Sequence, residues 1–232
     1  MRYFKCLFFA VLMTVGADAF GQLQTVIGKA DYPFWLYLPA DSILQSHPPV
    51  LIFLHGRSLS GTDLNLVKKY GVITEIVRGR KIPGIVFAPQ VKSGNAWEPD
   101  KILNVLKYIQ QHYDTETNRV YVVGMSLGGY GTLNFTGKYP QHVAAAVALC
   151  GGGNTSDCCR LAAIPLWIQH GKLDQAVPIA ESEKIVAGIK ACNGGVNLTY
   201  KVYDDWGHSQ LARVFGYDEM YAWLWKQSKK PN

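Results

Sequence analysis

The sequence predicts a three-layer α/β fold, with a mostly parallel sheet covered by helices on both faces. Three observations carry that expectation. The runs 49–54 (PVLIFL) and 85–88 (IVFA) are apolar without alternation, the pattern of strands buried on both faces. Stretches with helical spacing alternate with such runs along the chain, which implies crossovers between parallel strands. The β-branched and aromatic stretch 120–123 (VYVV) passes through Gly124-Met125-Ser126-Leu127-Gly128 into a proline-free segment reaching Tyr139. Strand, sharp turn and helix are therefore expected to follow directly on one another.

In chain order, residues 1–19 read as a cleaved secretory signal. Arg2 and Lys5 form a basic start, 6–15 is mostly apolar but too short to span a bilayer, and Ala17-Asp18-Ala19 has the pattern of a cleavage site. Residues 20–232 then suit a single domain. Residues 25–30 and 34–38 are expected as an opening antiparallel pair, with Phe34, Leu36 and Leu38 on one face. After strand 49–54, the mixed polar and apolar segment 64–78 is read as a helix that Gly71 can interrupt. Strand 85–88 stops at Pro89. Ile102, Leu103, Val105, Leu106 and Ile109 lie at helical spacing within 100–112, and Pro99 and Asp100 mark its start. A helix over 126–139 follows the central strand, and strand 143–149 leads into a glycine-rich loop. The alternation continues with strand 166–169, helix 179–191, strand 196–202 and a closing helix 217–227.

Composition narrows the function. The chain has 23 Lys and Arg against 17 Asp and Glu, a net charge of +6, which becomes +5 without residues 1–19. The basic residues are scattered in short pairs such as Lys68-Lys69, so a nucleic-acid partner is not expected. No second apolar run is long enough for a membrane span, and the expected location is periplasmic or extracellular. Cys6 would leave with the signal, which leaves Cys150, Cys158, Cys159 and Cys192. An even count in an exported chain fits disulfides. Cys158 and Cys159 are adjacent and bond to each other only with strain. Four cysteines allow three pairings; a bond from one of these two to Cys192 is a candidate, and the pairing stays open. Neither a C-x-x-C nor a neighbouring histidine supports a zinc site, so no metal and no organic cofactor are expected.

The chemistry centres on Ser126. A serine on so tight a strand-to-helix turn takes a strained backbone conformation, and the residues two positions either side approach each other, as glycine permits. The helix starting behind it aims free N–H groups at any oxyanion formed there. In a chain with 23 glycines a plain glycine-rich turn is the alternative, so partners must decide. His47 lies in a loop before a strand, His112 ends a helix, and His142 enters a strand at the wrong end of the sheet. His55 and His170 each follow a strand and precede glycine, and read as turn formers. His208, after the last strand, remains as the base. The acid must reach the imidazole from a different loop. Asp174 does so, following strand 166–169 at the same end of the sheet, whereas Asp204 and Asp205 are too near His208. A turn or cap residue is the plain alternative for Asp174. An oxyanion needs two backbone donors, and the Leu127 and Arg57 N–H groups are placed to supply them. Trp97 and Trp206 are candidates to wall the cleft and bind substrate, with ordinary packing as the alternative.

Leu54-His55-Gly56, Gly124 to Gly129 (GMSLGG) and 170–178 (HGKLDQAVP), completed by His208, resemble the serine-hydrolase branch of the α/β-hydrolase superfamily. More closely, NRVYVVGMSLGGYGTLNF with a later CGGG is similar to exported esterases often labelled predicted peptidases. Those are related to feruloyl, acetylxylan and polyhydroxybutyrate esterases. The resemblance covers nearly all of 49–225. It implies that Ser126, Asp174 and His208 stand at triad positions and Arg57 and Leu127 at oxyanion positions. The implied reaction is hydrolysis of carboxylic esters, either short-chain or carbohydrate-linked. A peptidase or amidase of the same fold, or an inactive binding protein on this scaffold, are the alternatives. The connection 150–165 is too short for a helical lid, so no large lid domain and an open cleft are expected.

Overall fold

The computed structural model describes residues 21–193 and 195–229, so the expected signal 1–19 lies outside the described residues. The strands are β1 (Gln22–Val26), β2 (Phe34–Leu38), β3 (Val50–Leu54), β4 (Ile85–Pro89), β5 (Val120–Met125), β6 (Ala145–Leu149), β7 (Leu166–Gly171) and β8 (Leu198–Tyr203). The helices are α1 (Asp41–Leu44), α2 (Val72–Val77), α3 (Pro99–His112), α4 (Leu127–Lys138), α5 (Cys158–Leu161), α6 (Ala180–Asn193) and α7 (Asp218–Trp225). Among the described residues the strands form one sheet in the order β1-β2-β4-β3-β5-β6-β7-β8. β1 pairs antiparallel with β2 and β2 with β4, and every other pairing is parallel. The three-layer α/β-hydrolase architecture, mostly parallel and without a large lid among the described residues, is therefore what the chain adopts.

Burial explains the order. All residues of β3, β4, β5, β6 and β7 are buried, so these strands need cover on both faces. One face packs against α3, α4 and α6 through residues such as Leu106, Phe135 and Ile189. The other packs against α2, α7 and the 3₁₀ segment Ser209–Gly216 through Ile73, Leu224 and Phe215. β8 and β1 alternate partly buried with exposed positions, as strands at the two edges do.

One open point is decided and one expectation changes. The segment 64–78 is interrupted at Gly71, as the sequence allowed: a 3₁₀ turn Leu64–Lys68 precedes α2, and Gly71 separates them with φ of +96°. A side chain at Gly71 would overlap the Phe53 ring, so tertiary packing makes the break. The first strand runs from Gln22 to Val26, three residues earlier than expected, because its ladder pairs Gln22 with Leu38 and Val26 with Phe34. Between β6 and β7 the chain forms only a 3₁₀ turn and α5, which places no lid over the sheet's carboxyl edge.

The open disulfide question has an answer. Cys159 bonds Cys192, tying α5 to α6 across 33 residues, while Cys158 and Cys150 are free and buried. Cys159 is exposed and Cys158 faces inward, so the neighbouring positions divide between bridge and core. Protein comprising residues 20–232, unfolded without reductant, should present two reactive thiols. Replacing Cys159 and Cys192 with serine should cost about 2–5 kcal/mol in urea unfolding. Four thiols, or an unmoved unfolding midpoint, would show that the bridge does not form or does not matter.

Candidate active site

Ser126 occupies the turn between β5 and α4 with φ of 59° and ψ of −121°. Such a conformation costs on the order of 1–3 kcal/mol and persists only where its surroundings impose it. Here a Cβ on Gly128 would overlap the Leu54 carbonyl, and one on Gly124 would overlap the Gly128 carbonyl. The helix thus presses directly onto β3, and only glycine fits between them. The Ser126 N–H donates to the Leu149 carbonyl at 2.9 Å, and its carbonyl accepts the Tyr130 N–H at 3.0 Å. β6 and α4 together hold the turn.

Asp174 and His208 arrive from the loops after β7 and β8. The His208 Nδ1 donates to Asp174 Oδ2 at 2.7 Å. Asp174 Oδ1 accepts the N–H groups of Ala176 and Val177, each at 2.9 Å. The Asp174 side chain is fully buried, so donors on both oxygens compensate the lost hydration of its charge. With the Nδ1–H donated to Asp174, the His208 Nε2 keeps its lone pair for a proton. Ser126, Leu127, Arg57 and His208 line one cleft of about 770 Å³. Leu127 opens α4 and Arg57 opens a 3₁₀ turn. Backbone N–H groups at such positions lack a partner inside their own helix.

The two tryptophans are corrections, since neither lines this cleft. Trp97 is buried, donates its indole N–H to the His55 carbonyl at 3.1 Å, and packs edge-on against Tyr32 and His55. Trp206 stacks on Tyr203 at 3.9 Å. Tyr70 and Tyr130 form the aromatic walls instead. The Tyr70 hydroxyl accepts the Gly56 N–H at 3.1 Å and so steadies the loop that carries Arg57. The Tyr130 hydroxyl donates to Glu181 at 3.2 Å, and burial with that neighbouring carboxylate pushes it up to about 12. Tyr70 lies in no motif, and Tyr130 lies in the stretch 118–135 without a residue pattern that assigns it a role, so sequence reasoning passed over both.

The two histidines read as turn formers do more than shape backbone. His170 is buried, with Nδ1 at 2.7 Å from the Ser182 hydroxyl and Nε2 at 2.9 Å from the Val177 carbonyl. Its Nε2 also lies 3.4 Å from Asp174 Oδ2, the oxygen that His208 holds, so it supports the acid loop from within the core. His55 has Nδ1 at 2.7 Å from the Gly56 carbonyl, and its Nε2 accepts the Val91 N–H at 3.3 Å. Those roles suit a neutral ring, and burial lowers it to about 4.

Cys150 Sγ falls within 4.8 Å of ligand atoms of Asp174 and His208. A cysteine ligand must be a thiolate, yet burial first and then the Asp174 charge push this thiol well up. Together with the use of His208 Nδ1 on Asp174, that makes the trio a poor metal site and leaves Cys150 a packed, neutral thiol.

Known proteins agree with this architecture. The profile of the dienelactone hydrolase family matches residues 87–224. Acetylxylan esterase A from Emericella nidulans is 26% identical over a match that covers 56% of this chain and 47% of that protein. The chain thus spans about half the length of the curated relative it matches. A thermostable esterase of known structure superposes with a TM-score of 0.74 at 27% identity, covering 92% of this chain and 64% of that one. The feruloyl esterase module from Clostridium thermocellum, complexed with sinapinate, shares the fold at 15% identity, with a TM-score of 0.64 and coverage of 85% and 87%.

His55 makes stability depend on pH. The unfolded ring takes a proton near 6.5, whereas the folded ring refuses it until about 4. Its contribution is therefore complete above 6.5 and is lost as pH falls between those values. Urea unfolding at pH 7.5 and pH 4.5 should show the wild type losing about 2–3 kcal/mol more than His55→Gln. Equal losses in the two proteins would mean that His55 charges in the folded state.

Proposed function

Since the chain belongs to the dienelactone hydrolase family, within the α/β-hydrolase fold, we propose that it is an exported serine esterase acting through an acyl-enzyme. The observation that carries this reading is the 2.7 Å hydrogen bond from His208 to Asp174 in the cleft that also holds Ser126. Ser126 Oγ attacks the ester carbonyl carbon while His208 Nε2 takes its proton. Asp174 fixes the imidazole tautomer and stabilises the imidazolium. The Leu127 and Arg57 N–H groups receive the negative charge that builds on the carbonyl oxygen. The C–O bond then breaks, and His208 returns the proton to the departing alcohol. Water, deprotonated by the same histidine, releases the acid and restores Ser126.

An open cleft with no lid between β6 and β7 supports esters of bulky alcohols, including those carried on polysaccharides. The acetylxylan esterase relative supports the same substrate class. Export fits the leader-like composition of residues 1–19, and the bridge between Cys159 and Cys192 fits an oxidising compartment. No helix among the described residues is long and apolar enough to cross a membrane.

Hydrolysis of p-nitrophenyl acetate should fall by about 10⁴-fold or more in Ser126→Ala, and by a similar order in Asp174→Asn, with unfolding midpoints little changed. Wild-type protein inactive on a panel of ester chain lengths would favour the binding-protein alternative. Rates on tributyrin should rise smoothly through its solubility limit, because interfacial activation needs a lid to move. A sharp jump at that limit would contradict the open cleft.

A further inference from the structure

Three concavities on the surface join end to end, and the first is the cleft that holds Ser126. The second, of about 390 Å³, shares Tyr70 and Ala212 with that cleft. The third, of about 400 Å³, shares Glu75 and Arg78 with the second. Together they form a track that leads away from the serine between α2 and the 3₁₀ segment Ser209–Gly216. The track leaves on the alcohol side of the reaction. His208 returns its proton to the departing alcohol, so the leaving oxygen faces that ring. Ser209 and Ala212, just after His208 in the chain, line the cleft, and Ala212 is where the second concavity begins.

The charge along this track is one-sided. Among the described residues no Asp or Glu lines the Ser126 cleft, whereas Arg57 does. Further along, the two carboxylates are already held: Glu75 by Arg78 at 3.0 Å and Asp218 by Arg80 at 2.6 Å. Lys69, Lys81 and Arg213 remain, all exposed and without an anionic partner among the described residues. Arg213 is also held in place. Its guanidinium lies 5.9 Å over the Trp206 ring, and Tyr203 stacks on the same indole at 3.9 Å. A ring contact uses the face of a guanidinium and leaves the N–H edge for an acceptor. A carboxylate fits that edge with two parallel hydrogen bonds. One exposed ion pair contributes little, so a row of separated cations favours a chain that repeats its anion.

We infer that the alcohol part of the substrate is an acidic polysaccharide, whose uronic carboxylates lie along this track while an acylated hydroxyl reaches Ser126. The inference rests on the ester-hydrolase reading above and adds the charge of the polymer and the path it takes.

The test compares acetylated oligogalacturonides with acetylated xylo-oligosaccharides of equal length, acidic against neutral. The ratio of their kcat/KM values should favour the acidic ester at low salt and decline as salt screens the track. Lys69→Gln combined with Arg213→Gln should lower the low-salt ratio on the order of three- to tenfold, through KM. Lys69→Gln alone, which alters an exposed side chain, should move it in the same direction by less. A wild-type ratio that ignores salt, or one that both variants leave unmoved, overturns the inference. Binding is read separately in Ser126→Ala protein titrated with tetragalacturonate, xylotetraose and a DNA tetranucleotide, with the Trp206 indole N–H followed by NMR. Saturable shifts with tetragalacturonate alone are expected. No shift with it, or equal affinity for the tetranucleotide, overturns an acidic-sugar track. Absence of p-nitrophenyl acetate hydrolysis in the wild type overturns the ester-hydrolase reading instead, and the titration decides the track independently of it.

Discussion

The approach of α4 to β3 at Gly128 is the constraint on which the rest of the structure depends. No side chain fits between that helix and the Leu54 carbonyl, so the chain reverses within one residue, and that residue is Ser126. Its positive φ is costly, and the fully buried strand β5 that leads into it supplies stability that holds it. The same contact aims the start of α4 at the cleft. The strained serine and the N–H of Leu127 are therefore set by one packing event.

The loops at the carboxyl edge depend on that sheet in turn. Parallel strands end side by side, so the loops after β3, β5, β7 and β8 meet although they are far apart in sequence. Asp174 shows how such a loop becomes rigid. Two backbone N–H groups hold one carboxylate oxygen, and His208 holds the other, which buried His170 also approaches. Arg57 has a similar support, since Tyr70 holds Gly56 and His55 accepts from Val91. Both loops are stiffened by neutral or hydrogen-bonded side chains beneath the cleft, which leaves its surface open to solvent.

Burial also separates the polar groups by role. His55 and Cys150 lie near the cleft but are held uncharged by desolvation. His208 is partly exposed and paired with a carboxylate, which is the environment a proton-transfer group needs.

Much of this was legible in the sequence, because it depends on local sterics and on period. The apolar runs, the alternation of strands with helices and the glycines around Ser126 are each decided within a few residues. Order along the chain singled out His208 and Asp174 as candidates, and the two meet in a hydrogen bond because the parallel sheet sends its strand ends to the same edge. Other features depended on which side chains meet across the core. Whether Cys158 or Cys159 reaches Cys192 turns on which way α5 faces, and neighbouring residues carry no signal for that. Trp97 lies in a loop at the correct edge, yet packs inward beneath His55. Gly71 stood out in the sequence as a possible break, but the Phe53 ring that requires glycine there comes from a different element. His170 looks like one half of a turn in the sequence, and only the tertiary fold places Ser182, Val177 and Asp174 around it. The sequence by itself determined the architecture and the order of its candidate chemistry. The walls and supports were decided by long-range packing, because those contacts join residues that no local pattern relates.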